Sequence, residues 1–238
     1  MSRIGIFGGM GPSATVDFMD KLVQLTPATR DQEHLPVIVA SLPHIPDRSR
    51  AIMGQGLDPL PRLLEGIAFL NQVGVGVVAI PCNSSHHWYD QLSAASQAPI
   101  LHIAQSCVAA LGDEPGQRVA IFATRGALAS GFYQRALADR GIGTFVPSAS
   151  GGQMLVDECV RAVKAGDMRA SGTALGHALG EAREQGVTAV IMGCTEIPIA
   201  ARHTDSRGLR LVDSSLELAR AVVNYGVERG WNKPGWVC

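Results

Sequence analysis

Two short segments of this chain share a wording: Pro81-Cys82-Asn83-Ser84 and, about half a chain-length later, Cys194-Thr195-Glu196. Each cysteine closes a run of small and β-branched apolar residues, Val75 to Ile80 and Val187 to Met192, and polar side chains follow it. That pattern spells, twice, a buried strand that delivers a thiol to the start of a helix. The unpaired backbone N–H groups at such a junction are expected to lower a thiol pKa from about 8.5 and bring thiolate within reach of neutral pH. Together with Asn83, Ser84, Ser85 and Thr195 they are also suited to holding a carboxylate. Two matched thiols without CxxC spacing fit proton transfer to and from two faces of one carbon better than a disulfide or a metal. Inverting a stereocentre needs a base on one side and an acid on the other. With each sulfur about 3–3.5 Å from the reacting carbon, the pair would stand roughly 6–7 Å apart, against about 2 Å in a disulfide.

The elements that must present these thiols read as an α/β chain. Strand-like runs fall at 3–9, 35–42, 74–82, 99–103, 117–124, 141–146, 186–194 and 208–213, with helical periodicity between them, as in Val16, Met19, Leu22 and Val23. Strands alternating with helices imply crossover connections and parallel sheets covered on both faces. The eight runs divide four and four, and the halves echo each other. Ile4-Gly5-Ile6-Phe7-Gly8 resembles Val119-Ala120-Ile121-Phe122-Ala123, and Pro99 to Ile103 resembles Leu209 to Asp213. The expected fold is two pseudo-symmetric lobes, each a four-stranded parallel sheet flanked by helices. Ligands of open parallel sheets bind beyond the C-terminal strand ends, where both cysteines lie, so the sequence predicts a site between the lobes.

Bulk properties agree with a soluble globular protein. The 238 residues carry 46% apolar and 17% charged side chains and a net charge of −1, which gives no reason to expect nucleic acid or an anionic membrane as a partner. The longest apolar stretch, 73–82, is far below the roughly 18 residues of a membrane span. The N-terminus runs directly into a strand pattern with no signal-peptide region, so a cytoplasmic location is expected. Five cysteines, an odd number at irregular spacing, suit reduced thiols. Cys107 and Cys159 sit in apolar patterns as expected core residues. Cys238 lies in a tail with Trp231 and Trp236 and receives no role.

Gly8-Gly9-Met10-Gly11-Pro12, Asp47-Arg48, Pro81-Cys82-Asn83-Ser84 and Gly193-Cys194-Thr195-Glu196-Ile197-Pro198 together resemble the aspartate racemase branch of the aspartate/glutamate racemase family, in the family's order over nearly the whole chain. The resemblance implies a cofactor-independent, PLP-free isomerase, commonly a homodimer, that interconverts L- and D-aspartate by a two-cysteine, two-base mechanism, with glutamate as a further candidate substrate. It implies that the C-terminal stretch returns to the first lobe, giving 1–98 plus 209–238 as one domain and 99–208 as the other. It makes Cys82 and Cys194 the acid/base pair. Asn83, Ser84 and Thr195 would bind the α-amino and α-carboxylate end, Arg48 and Lys164 the side-chain carboxylate, with Met10 lining the pocket and Thr124 nearby. Read without the family, Arg48 suits a solvated turn and Lys164 a helix C-terminus. Glu196 suits either orienting and deprotonating Cys194 or serving as a first-turn acid.

Two departures separate the chain from glutamate racemases: Cys-Thr-Glu stands where they typically carry Cys-Thr-His, and Gly-Gly-Met-Gly-Pro replaces their Asp-Ser-Gly opening. Both favour aspartate. Ser84-Ser85 replaces the more usual Thr-Ala and keeps the first hydroxyl. Competing readings are weaker. The Gly5, Gly8, Gly9, Gly11 cluster lacks G-x-G-x-x-G spacing and a ribose-binding acid, and its glycines are expected to let the backbone approach a small carboxylate. His34, His44, His86, His87 and His102 show no metal-ligand spacing, and His86 is expected to be a satisfied polar residue near the site. A non-catalytic binding protein for small dicarboxylates or amino acids, or a related dicarboxylate isomerase or decarboxylase, remain the alternatives.

Overall fold

The computed structural model describes residues 2–112 and 116–233; Trp236 and Cys238 lie outside them. The chain divides into two compact units, 1–106 with 215–238, and 107–214. The first contains β1 (Ile4–Gly8), α1 (Pro12–Leu25), β2 (Val37–Ser41), α2 (Arg48–Ile52), α3 (Leu60–Gln72), β3 (Val77–Ala79) and α4 (Tyr89–Ala95). Helix α5 (Ile103–Ala110) carries the chain into the second unit. There follow β4 (Arg118–Ala123), α6 (Arg125–Ser130), α7 (Phe132–Ala138), β5 (Gly143–Phe145), α8 (Gly152–Lys164), α9 (Met168–Glu184), β6 (Ala189–Gly193), α10 (Ile197–Ala201) and β7 (Arg210–Asp213). Helix α11 (Ser214–Glu228) returns the chain to the first unit.

Both sheets are parallel. The first has the order β2-β1-β3, the second β5-β4-β6-β7. The run at 99–103, expected as a fourth strand, is not one: it adds only a single parallel bridge, Ile100 to Val78, on the free edge of β3. Its counterpart β7 pairs with β6 over four residues, so the order within each unit is nonetheless the same. Because β7 belongs to the second sheet, the chain leaves that unit only after the strand, at Ser215, and not before it.

The central strands show why continuous apolar runs become these elements. All five residues of β1, the three of β3 and the five of β6 are buried, as strands covered on both faces must be. Leu63, Ile67 and Leu70 of α3 pack with Phe7, Val78, Ile80 and Cys82 in the first core. Gly66 lets α3 come that close, since a Cβ there would lie 2.3 Å from the Phe7 ring. In the second core Val156 and Cys159 of α8 and Leu175, Ala178 and Leu179 of α9 pack with Val190, Met192 and Cys194. Both cysteines thus close a buried strand while remaining part of its core. Cys107 and Cys159 are fully buried, as their apolar surroundings in the sequence suggested.

Candidate functional site

In the first unit the chain leaves β3 through Ile80-Pro81 and reaches Cys82, which is 7% exposed and has extended backbone, φ −145° and ψ 108°. The Cys82 carbonyl accepts the Ser85 N–H at 3.3 Å, and this bond opens a 3₁₀ helix, Asn83–Trp88. The helix thus begins directly after the cysteine. Asn83, Ser84 and Ser85 are all buried, an unusual cost for polar side chains that must be met by hydrogen bonds. The Ser85 hydroxyl donates to Met10 Sδ at 3.3 Å, and Ser84 Oγ lies 3.3 Å from Ser49 Oγ.

Arg48, the first residue of α2, completes this group. Its Nη1 donates to the Ile45 and Pro46 carbonyls at 3.1 and 2.9 Å, and Nη2 to the Met10 carbonyl at 3.4 Å. Its Nε is buried without a hydrogen-bond partner among the described residues. The solvated turn suggested by Asp47-Arg48-Ser49-Arg50 is therefore only half right. Asp47 caps α2 through the Arg50 N–H, while Arg48 folds inward and ties the β1–α1 loop to α2. Register explains the convergence: Ile6 pairs with Ala79, so continuing both chains three residues brings the Gly9-Met10 turn beside Cys82, and Met10 and Cys82 share a core.

Gly8 and Gly9 make room for the protein itself: a Cβ on Gly8 would stand 2.4 Å from the Thr15 side chain, and one on Gly9 would stand 2.3 Å from the Leu42 backbone. Gly9 also has φ +91°, a conformation that favours glycine. Behind Cys82, His86 is buried with Nε2 3.2 Å from the Ile80 carbonyl and its ring centroid 4.9 Å from that of His102. Burial first, and the His102 charge second, push its pKa down to about 3. His86 is thus neutral in the folded chain, with its Nε2 against the Ile80 carbonyl.

In the second unit Ala123 of β4 pairs with Gly193 of β6, so the residues after them, Thr124 and Cys194, emerge side by side at the C-terminal sheet edge. Thr124 caps α6, its Oγ1 accepting the Ala127 N–H at 3.3 Å. Cys194 is 7% exposed, and its Sγ–H donates to Glu196 Oε2 at 2.9 Å. The Thr195 hydroxyl donates to the same oxygen at 3.1 Å. The other oxygen, Oε1, lies 3.6 Å from Lys164 Nζ at the end of α8. Glu196 occupies the N-cap position of α10 without a side-chain capping bond, and Pro198 takes the first turn.

A second correction concerns Cys194 itself. A lowered thiol pKa was expected, but burial first and the Glu196 charge second push it well above the usual thiol range. The helix that follows has only five residues, too short a dipole to offset these terms. The same two causes raise Cys159 to about 12. Cys159 is a member of this neighbourhood that the sequence did not announce, since its apolar flanks mark it only as core. Ser49 was also missed, although its place next to Arg48 was a usable signal. Cys82, Cys107, Cys159 and Cys194 are all free thiols, and no cluster of three metal-ligating side chains occurs among the described residues. No described helix is long and apolar enough to cross a membrane.

Thus the structure gathers Met10, Arg48, Asn83, Ser84 and Cys82 in the first unit, and Thr124, Lys164, Cys194, Thr195 and Glu196 in the second. Comparison with known proteins gives this arrangement a lineage. The chain is 28% identical to the broad specificity amino-acid racemase RacX of Bacillus subtilis over 225 residues, 93% of this chain and 96% of that protein. The solved aspartate racemase of Picrophilus torridus superposes with a TM-score of 0.82 at 26% identity, covering 98% of this chain and 100% of that one. A glutamate racemase of Francisella tularensis shares the fold alone, with a TM-score of 0.71 at 17% identity over 97% of this chain and 82% of its own. Residues 7–222 match the family described as Asp/Glu/Hydantoin racemase, and the chain belongs to that family.

Proposed function

We propose that this racemase acts on an acidic amino acid, interconverting L- and D-aspartate without a cofactor, with Cys82 and Cys194 as acid and base on opposite faces of one Cα. The observation that carries this reading is topological. Each unit has its strands in the same order, and in each the strand that follows the crossover ends in a buried, free cysteine at the C-terminal sheet edge. A single-thiol enzyme or a binding protein has no need for that repetition. One thiolate removes the α-proton, and the opposite thiol delivers its own proton to the planar carbanion. For a bound substrate, Asn83, Ser84 and Thr195 hold the α-amino and α-carboxylate groups. Arg48, whose buried Nε awaits an acceptor, and Lys164 take the side-chain carboxylate. Met10 fixes the floor by accepting from both Ser85 and Arg48. Hydrogen bonds and ion pairs then stabilise the charge that develops.

The names of the relatives bear on specificity. One is an aspartate racemase and another a broad specificity amino-acid racemase, so glutamate and further amino acids belong in the substrate panel. The test is incubation with L-aspartate in D₂O without added cofactor, following optical rotation and the α-proton signal, for wild type, Cys82→Ala and Cys194→Ala. Racemisation with deuterium incorporation in wild type, lost in both variants, is the expected result. No exchange of any amino acid by the wild type would leave a binding protein, and full racemisation by either variant would end the two-base reading.

A further inference from the structure

We infer that His86 and Ser214 are positioning residues for the two thiols: each donates a buried hydrogen bond to the main-chain carbonyl two residues before a cysteine, and so fixes where that sulfur points. The inference rests on the racemase reading proposed above and deepens it by naming what holds each base in place. Neither side chain takes or gives a proton in the reaction.

After each thiol the backbone is tied alike. The Cys82 carbonyl accepts the Ser85 N–H at 3.3 Å, and the Cys194 carbonyl accepts the Ile197 N–H at 3.1 Å. Before each thiol a side chain takes part. In the first unit the Cys82 N–H donates to the Ile80 carbonyl at 2.8 Å and closes a three-residue turn about Pro81, which has no N–H of its own to add. The His86 ring reaches back from the 3₁₀ helix and sets Nε2 3.2 Å from the same Ile80 oxygen. A carbonyl only accepts, so Nε2 carries the proton, and burial keeps the ring neutral. In the second unit the carbonyl at the same station is that of Met192, and it accepts the Ser214 hydroxyl at 2.8 Å. His86 is 3% exposed and Ser214 0%, so water does not compete for either bond.

The two donors differ because the neighbouring segments differ. Strand β7 pairs with β6 so that Met192 lies beside Asp213, and Ser214, the next residue, reaches the Met192 carbonyl directly. In the first unit the corresponding segment makes only the bridge from Ile100 to Val78. Two residues further along both chains, His102 comes beside Ile80 and packs its ring on His86, with centroids 4.9 Å apart. Tyr89 lies against both rings, at 6.1 and 4.6 Å, and its hydroxyl donates to the Ile100 carbonyl at 3.0 Å. The neighbouring segment thus supports the carbonyl in each unit, through Ser214 in one and through His102 and His86 in the other. Proton transfer at two faces of one Cα needs such anchoring, since a misplacement of about 1 Å can cost about 100-fold in rate.

The test reads the two sulfurs separately. Alkylation of the folded protein by iodoacetamide at neutral pH, with Cys82 and Cys194 each quantified by mass spectrometry, needs no turnover. His86→Phe keeps a buried ring but removes the donor, and it is expected to speed alkylation of Cys82 severalfold while leaving Cys194 unchanged. Ser214→Ala is expected to do the reverse. His86→Gln, whose amide nitrogen reaches the place of Nε2, is expected to match wild type, whereas His86→Asn, polar but too short, is expected to resemble His86→Phe. In steady-state kinetics His86→Phe and Ser214→Ala are each expected to lower kcat for aspartate about 10-fold with little change in KM. Equal acceleration at both thiols by either variant would mean general loosening and overturns the inference. So does unchanged alkylation, or a Gln variant no better than the Asn variant, a comparison that stands even if His86→Phe does not fold. A wild type that racemises no amino acid yet gives this alkylation pattern would remove the proposed function and keep the anchors; a racemising wild type without the pattern would remove the anchors alone.

Discussion

The two cysteine turns occupy the same station in two like-ordered sheets, yet their surroundings are chemically opposite. In the Cys82 turn the adjoining side chains are neutral, Asn83, two serines and the Met10 thioether, and the Arg48 guanidinium is aimed at backbone carbonyls. Around Cys194 a carboxylate accepts directly from the thiol and is in turn paired with a lysine. Duplicated topology therefore does not entail duplicated electrostatics. Strand order depends on long apolar runs that tolerate exchange of one aliphatic residue for another, whereas the environment of a thiol depends on one or two side chains in the turn after it. On the two-base reading proposed above, the two enantiomers would meet bases that are not equivalent.

The largest expected effect breaks the comparison outright. Replacing either sulfur by oxygen, Cys82→Ser or Cys194→Ser, is expected to lower racemisation by about 10³-fold, since a hydroxyl is far too weak an acid to take over general acid–base work. The sharper reading comes from α-proton exchange in D₂O. Each variant should retain exchange with one enantiomer of aspartate at most, and the two variants with opposite enantiomers. Equal residual exchange of both enantiomers by both variants would mean that the thiols do not divide the two faces.

A smaller effect contrasts the two cations. Arg48 spans three carbonyls from a half-buried position, a task for a planar fork that an ammonium cannot perform. Charged hydrogen bonds are worth about 1.5–3 kcal/mol, so Arg48→Lys is expected to raise KM for aspartate about 10- to 100-fold with a lesser change in kcat. Lys164 is exposed and makes one loose ion pair, so Lys164→Arg is expected to change KM less than about fivefold. Steady-state kinetics on the two variants would reverse the assigned weights if Lys164→Arg proved the more damaging.

How much of this could be read beforehand follows from the same division. The apolar runs announced seven strands, the parallel alternation and the thiols at strand ends, because burial on both faces leaves a strong trace in composition. The run at 99–103 failed as a strand: Ile100 alone pairs with Val78, and Ile103 already starts α5. The apolar content was right, but three residues past a proline leave no length for a ladder. The site residues could be named, yet not their mutual contacts. Nothing in the local sequence says that Arg48 turns inward to the Met10 carbonyl, or that Glu196 faces Cys194 and not solvent. Cys159 was indistinguishable from filler because its raised pKa comes first from burial and then from a carboxylate many residues away. The expected fall in the Cys194 pKa failed for a related reason: backbone N–H groups can be counted from a motif, whereas desolvation and a neighbouring charge require the fold.

The smallest effect concerns stability, and it divides the units by pH. His86 has its pKa depressed to about 3 from 6.5. It is neutral in the folded chain while the unfolded chain takes up a proton below 6.5, so its contribution is fully present above 6.5 and is lost as pH falls toward 3. The loss is at most about 1.4 kcal/mol per pH unit. In the second unit the shifted groups are acids raised by burial: Cys159 from 9.0 to about 12, with Cys194 and Tyr133 also raised. Their stabilisation is complete below the unfolded value and is lost as pH climbs past 9.0 for the thiols and 10.0 for the phenol. Acid unfolding should therefore begin in the first unit and alkaline unfolding in the second. His86→Gln is expected to flatten the decline of Tm between pH 6 and 4 without altering the alkaline limb. Cys159→Ala, though less stable throughout from the cavity it leaves, is expected to flatten only the decline above 9. Calorimetry across both limbs checks the assignment, and a His86→Gln protein with an unchanged acid slope would place the acid-sensitive group elsewhere.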